Sequence, residues 1–185
     1  GVTPVSIMPV GTFSACDRDP RGRIISNAFT TIISEESARI MASDDAIDAK
    51  WFDVFYEQRE NGNYALRLVG DTLTLEAELA VKGKQFGTTT FEIVHNGNLA
   101  FDHAAILATA LERLRDKAEG FDAIFDFLPE KFTLTALQKV QETILNVSLL
   151  PANFRRKIAD YVVETDEYTT GAGHRPAKLY KRKAR

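Results

Sequence analysis

Apolar and polar residues alternate along the first half of the chain, and the period lengthens in the second half. Residues 5–13 and 24–34 are rich in Val, Ile, Phe and Thr and read as strands. Between them lies a polar turn, DRDPRGR at 17–23, punctuated by Pro20 and Gly22. A polar loop at 44–50 leads into a strand at 51–55, and 57–63 reads as a turn. Residues 64–69 alternate, Gly70 and Asp71 make a tight turn, and Leu73, Leu75, Ala77, Leu79 and Val81 then fall on one side of a strand over 72–81. That pair is a β-hairpin signal. A further strand at 88–94 ends at Asn96 and Gly97.

Beyond residue 100 the spacing becomes helical. Phe101, Ala105, Ala108, Leu111, Leu114 and Ala118 predict a helix that Gly120 terminates. Residues 120–130 form a connector with a helical turn near 124–127, too apolar in Phe121, Ile124, Phe125, Phe127 and Leu128 for a free linker. Thr135 and Gln138 have the spacing of a capping box, opening a helix that buries Leu137, Val140 and Ile144. After a turn at 147–152, a second helix places Phe154, Ile158 and Tyr161 or Val162 on one face and turns Arg155 and Arg156 away from it. A Gly-rich tip follows, with Gly171 and Gly173 before His174 and Arg175.

The net charge is −3, unevenly spread: residues 151–185 hold nine Lys/Arg against four acids, giving +5 and leaving −8 on residues 1–150. A basic end on an acidic body points to a local anionic partner, or to a solvated tail. The 44% hydrophobic content suffices for a core. No apolar run of about 18 residues is present, so no membrane span is expected. One cysteine, Cys16, precludes an internal disulfide and fits a cytoplasmic setting. Cys16 and the three histidines lack zinc-ligand spacing. The sequon Asn146-Val147-Ser148 has no role in a cytoplasmic protein.

Strand, helix, turn, basic helix and hairpin, in that order, make a winged helix, a way of setting one helix in a DNA groove. The runs LPEKFTLTALQ (128–138), NFRRKI (153–158) and RPAKLY (175–180) resemble the winged helix of the Nudix-related transcriptional regulators. Upstream, VGTF (10–13) with DRDPRGRIIS (17–26) resembles the part of an ADP-ribose-type Nudix domain that follows its catalytic helix. KWF (50–52) and AFDHAAIL (100–107) resemble its later strand and closing helix. The expected fold is therefore α+β. A partial Nudix-like mixed sheet with a helix spans 1–118, carries a β-rich insertion at 57–98, and is followed by a winged helix over 125–185.

The resemblance implies a bacterial, homodimeric repressor of NAD or ADP-ribose metabolism genes, reading a double-stranded DNA operator. Its Nudix-like domain would sense ADP-ribose or a related NAD-derived nucleotide. DNA contacts would come from Asn153, Arg155, Arg156 and Lys157 on the second helix, and from His174, Arg175 and Lys178 on the wing. Arg forks match guanine edges and phosphates, and Asn can pair with adenine. The plain alternative is a solvated helix with Asn153 as its cap. Lys181 to Lys183 fit phosphate contacts or mere solubility. Effector binding would fall to Arg18, Asp19, Arg21 and Arg23, since arginines clamp pyrophosphates; the alternative is a salt-bridged surface turn. Asp102 with His103 looks like a general-base pair but better suits orientation of a helix start.

A Nudix hydrolase also needs the carboxylate motif G-x5-E-x7-R-E-x-x-E-E-x-G to hold Mg²⁺. Glu35 with Glu36, and Glu57 with Glu60, lack that spacing, and Gly1-Val2 stand where the motif would end. The chain thus reads as the C-terminal part of a longer protein, itself without a catalytic residue, metal or cofactor, although the longer protein could use Mg²⁺. The alternative functions are an ADP-ribose pyrophosphatase with an appended winged helix, and a winged helix that binds protein rather than DNA.

Overall fold

The computed structural model describes residues 4–33, 49–85, 87–170 and 176–184. The chain divides into two compact units, Gly1–Arg113 and Leu114–Arg185. The division falls inside a helix rather than in the connector after it.

In the first unit, β1 (Ser6–Phe13) and β2 (Ser26–Ile32) form an antiparallel pair with a bulge between Pro9 and Gly11. Four further strands make an antiparallel meander in sequence order: β3 (Asp53–Gln58), β4 (Tyr64–Val69), β5 (Thr74–Gln85) and β6 (Thr88–His95). All pairings among the described residues are antiparallel, which narrows the expected mixed sheet.

The alternation sets one face of the meander. Tyr56, Leu66, Leu68, Ala77 and Leu79 are buried there against Ala104 and Ala108 of α1 (His103–Glu119). Full burial of side chains such as Leu66 and Leu79 contributes about 1.5–3 kcal/mol each. The stretch 57–98, expected as an insertion, therefore supplies Leu66, Leu68, Ala77 and Leu79 to this unit's core. Val81 was expected inward but is exposed, beside the bulge that shifts the register between Val81 and Gly83.

Two turns depart from the sequence reading. Gly70 N–H donates to the Leu73 carbonyl, so the hairpin loop spans 70–73 and β5 starts later than expected. The positive φ after α1 belongs to Phe121 (φ 62°) rather than Gly120. An L-residue pays about 1–2 kcal/mol in that region. The Phe121 ring recovers it by packing in the core, 5.0 Å from the ring of Tyr161.

The second unit holds the end of α1, a 3₁₀ turn at Ile124–Phe127, α2 (Leu134–Leu145), α3 (Pro151–Ile158), a 3₁₀ turn at Ala159–Tyr161, and the hairpin β7 (Val162–Tyr168) and β8 (Lys178–Arg182). Phe132 pairs with Tyr180 as an isolated antiparallel bridge, which ties the 130–132 segment to β8. Ala118, Ile124, Phe125, Phe132, Leu137, Phe154 and Ile158 form the core. The apolar connector is thus part of this core. Gln141, buried in it, donates to the Ala118 carbonyl at 2.8 Å near the end of α1.

Candidate nucleic-acid interface and polar cluster

Thr133, not Thr135, caps α2: its hydroxyl accepts from Ala136 N–H at 3.1 Å. Gln138 is free of the expected capping box and instead donates to Glu142 Oε1 and to the Leu149 carbonyl, both at 2.9 Å. Glu142 Oε1 also accepts from Leu149 N–H at 2.8 Å. Asn146, left-handed at φ 53°, ends α2. These contacts fix the turn that aims α3, and the Glu142 carboxyl is held below its usual range by the Gln138 and Leu149 donors. The sequence reading missed them, although Gln and Glu four apart on a helix are a recognisable pair.

Pro151 occupies the first turn of α3, and Leu150 precedes it as a cap without a side-chain bond. Asn153 is therefore inside the helix and is not its cap; its Oδ1 lies 3.4 Å from Arg156 Nη2. Phe154 and Ile158 are buried at 2% and 0% exposure, which fixes the rotation of α3 and turns Asn153, Arg155, Arg156 and Lys157 outward. The three cations occupy the last turn, where the helix dipole favours positive charge. Among the described residues no carboxylate pairs with Arg155, Arg156 or Lys157; all three side chains are exposed, with only Arg156 Nη2 reaching a side-chain acceptor, Asn153 Oδ1.

The hairpin differs. Lys178 Nζ lies 2.8 Å from Glu164 and 5.9 Å from the centre of the Tyr168 ring. Lys181 pairs with Glu130 at 2.8 Å, and Lys131 with Glu167. Arg182 lies 3.8 Å from Asp126 and over the Phe125 ring. Hydrogen bonds to the partner carboxylates raise the Lys178 and Lys181 pKa values, while Glu164 and Glu130 are correspondingly lowered. His174 and Arg175 lie outside the described residues, as do Gly171 and Gly173.

In the first unit the 17–23 cluster is mostly committed to itself. Arg18, with its side chain 7% exposed, grips Asp102 through Nε and Nη2 at 2.7 Å each and donates from Nη1 to Ser26 at 2.8 Å. Asp102 thereby joins the β1–β2 loop to the start of α1, and its backbone carbonyl accepts from Ala105 and Ile106. This is the orienting role; a general base would need that carboxylate free. The side-chain bond from Asp102 raises the Arg18 pKa.

Asp19 is buried and receives Arg21 through the guanidinium at 2.8–3.3 Å and the backbone N–H at 2.9 Å. Arg21 also stacks 5.0 Å from the centre of the Phe101 ring, on a residue with φ 48°. Arg23 reaches the exposed Cys16 thiol at 2.6 Å. Arg18 and Asp19 are thus each held in a structural pair, with Asp102 and Arg21 respectively, and Arg21 and Arg23 are the exposed arginines. Glu35 and Glu36 lie outside the described residues, and no group of three or more His, Cys, Asp or Glu that could hold a metal occurs among those described. No described helix is long and apolar enough to cross a membrane.

The Arg21 hydrogen bonds lower the Asp19 pKa from 3.8 to about 2. A depressed carboxylate stabilises the fold above its unfolded pKa and loses that contribution as pH falls through the folded value. The loop anchor should therefore persist at pH 4 and fail toward pH 2. A carboxyl carbon titration of Asp19 checks this; a midpoint at 3.8 would show that Arg21 does not hold the group.

Residues 124–181 match the NrtR DNA-binding winged helix domain. The second unit is therefore a winged helix of the type that binds DNA. An "ADPR responsive transcriptional repressor NtrR" of Acinetobacter baylyi is 40% identical over 85 residues, covering 45% of this chain and 34% of that protein. The structure also resembles a MutT/nudix family protein from Enterococcus faecalis (TM-score 0.65, 27% identity), across 97% of this chain and 62% of that one. It resembles Shewanella oneidensis NrtR alone (TM-score 0.56) and complexed with a 27mer DNA (TM-score 0.57), each at 26% identity over 98% of this chain and 66% of that one. The chain is similar to these winged-helix regulators, and spans about a third of the length of the curated relative it matches. The likeness to the solved structures runs across the 57–98 segment.

Proposed function

We propose that this chain belongs to a DNA-binding transcriptional repressor of NAD or ADP-ribose metabolism genes. The observation that carries the reading is α3, locked from behind by Phe154 and Ile158 and presenting Asn153, Arg155, Arg156 and Lys157 without an acidic partner among the described residues. Such a helix suits a major groove, with arginines for guanine edges or phosphates. Its likeness to a regulator solved with DNA supports the same partner. The working form would be a cytoplasmic homodimer, two winged helices meeting a roughly palindromic operator.

ADP-ribose, or a related NAD-derived nucleotide, would be the effector, as the name of the Acinetobacter relative suggests. The exposed Arg23 is the residue for its anionic groups, joined by Arg21 where an anion competes with Asp19 for its guanidinium; Arg18 is held by Asp102. An effector could alter DNA affinity only by binding the two states unequally.

Fluorescence anisotropy on duplex DNA from upstream of the parent operon tests the reading. Binding should exceed that to scrambled DNA and weaken steeply with salt. Arg155→Ala or Arg156→Ala should each weaken it about tenfold or more, in line with about 1–3 kcal/mol per specific contact. Absence of binding at low salt would reject the reading.

A further inference from the structure

Two groups of basic residues in the second unit differ in their electrostatic partners. Those on α3 have no acidic partner among the described residues. Those on the stem of the hairpin and its bridging segment are each matched: Lys178 with Glu164, Lys181 with Glu130, and Lys131 with Glu167. Two of these pairs tie the 130–132 segment to the hairpin, and the third spans β7 and β8.

We infer that the paired lysines of the wing stem are charge-compensated toward DNA by construction, so that, of the stem and α3, it is α3 that supplies phosphate-binding charge. This rests on the DNA-binding reading above. A cation beside its own carboxylate presents a dipole whose field decays quickly in salt. Compensated by its carboxylate, the cation neutralises no phosphate and so releases no counterion from the DNA. Breaking the pair to reach DNA would swap one ionic partner for another and leave a bare carboxylate near the phosphates, which repels. The lowered Glu130 and Glu164 pKa values agree that these carboxylates stay ionised beside their lysines. The bulk excess of positive charge in residues 151–185 therefore overstates the wing stem and understates how much α3 must carry.

The experiment is the salt dependence of binding to scrambled duplex DNA, measured on the full chain by anisotropy, with melting curves for each variant. Loss of one phosphate contact lowers the slope of log K against log salt by about 0.9. Arg155→Gln should show that drop. Lys181→Gln and Lys178→Gln bare a carboxylate and should weaken binding, but they remove no phosphate contact, so the slope should fall by much less than in Arg155→Gln. Glu130→Gln and Glu164→Gln should tighten binding and steepen the slope by about 0.9, because each releases a lysine. A slope drop in the lysine variants equal to that of Arg155→Gln would overturn the inference while leaving DNA binding intact, as would glutamate variants that bind like the parent. Failure of the parent chain to bind any duplex at low salt would instead remove the DNA-binding reading on which it stands.

Discussion

Phe154→Ala is expected to destabilise the C-terminal unit by about 3–5 kcal/mol, the range for truncating a buried aromatic side chain. Phe154 is 2% exposed and belongs to the cluster of Leu137, Ile158, Phe125 and Phe132. Removing its ring leaves a cavity that neighbours from several elements can fill only in part. Native domains hold about 0.05–0.15 kcal/mol per residue, so a unit of this size has only several kcal/mol to lose. The same ring fixes the rotation of α3, so DNA affinity should fall with stability. Urea unfolding together with amide exchange across 124–181 would measure the loss. A change below about 1 kcal/mol would mean that Phe154 is not a core residue of this unit.

Gly97→Ala should be the most damaging single change in the N-terminal unit outside a large core side chain. Gly97 has φ 55°, and a Cβ there would lie 1.7 Å from the Glu76 carbonyl oxygen and 2.8 Å from its carbon. The backbone conformation alone costs an L-residue about 1–2 kcal/mol. The overlap adds to this, because the obstructing atom is strand backbone near the start of β5 and cannot rotate away. Asn tolerates the left-handed region better than Ala but carries the same Cβ. If Gly97→Asn proves as harmful as Gly97→Ala in a thermal melt, the contact dominates. If Asn restores most of the stability, the dihedral angle does. Parent-like melting of both would contradict the close approach.

Local periodicity made much of this fold legible. The alternation of Leu75, Ala77 and Leu79 identified the inward side of β5 because side chains on a strand point to opposite faces whatever the partner. Helical spacing in 101–118 and 134–145 identified two helices for the same reason. Cap positions were less legible. Thr133 and Thr135 have similar local credentials, and the choice between them depends on where Leu134 and Leu137 meet the core. The left-handed Phe121 beside an available glycine is a sharper example, since burial of its ring outweighed an intrinsic backbone preference.

The polar cluster was legible as a cluster and not as a set of roles. Sequence spacing placed Arg18, Asp19, Arg21 and Arg23 together because they share one turn. It could not show that Arg18 would be consumed by Asp102, 84 residues away. The wing posed the same problem: Lys181 reads as a phosphate contact until Glu130, 51 residues earlier, is brought beside it.

The sequence by itself determined the winged-helix order, the inward faces of the helices and of β5 from Leu75 to Leu79, and the basic character of α3. Each depends on residues within a few turns of one another. The tertiary structure alone decided which charges are free and which are paired, and that 57–98 builds a core. Those properties depend on groups far apart in the chain, whose meeting is set by packing rather than by local pattern.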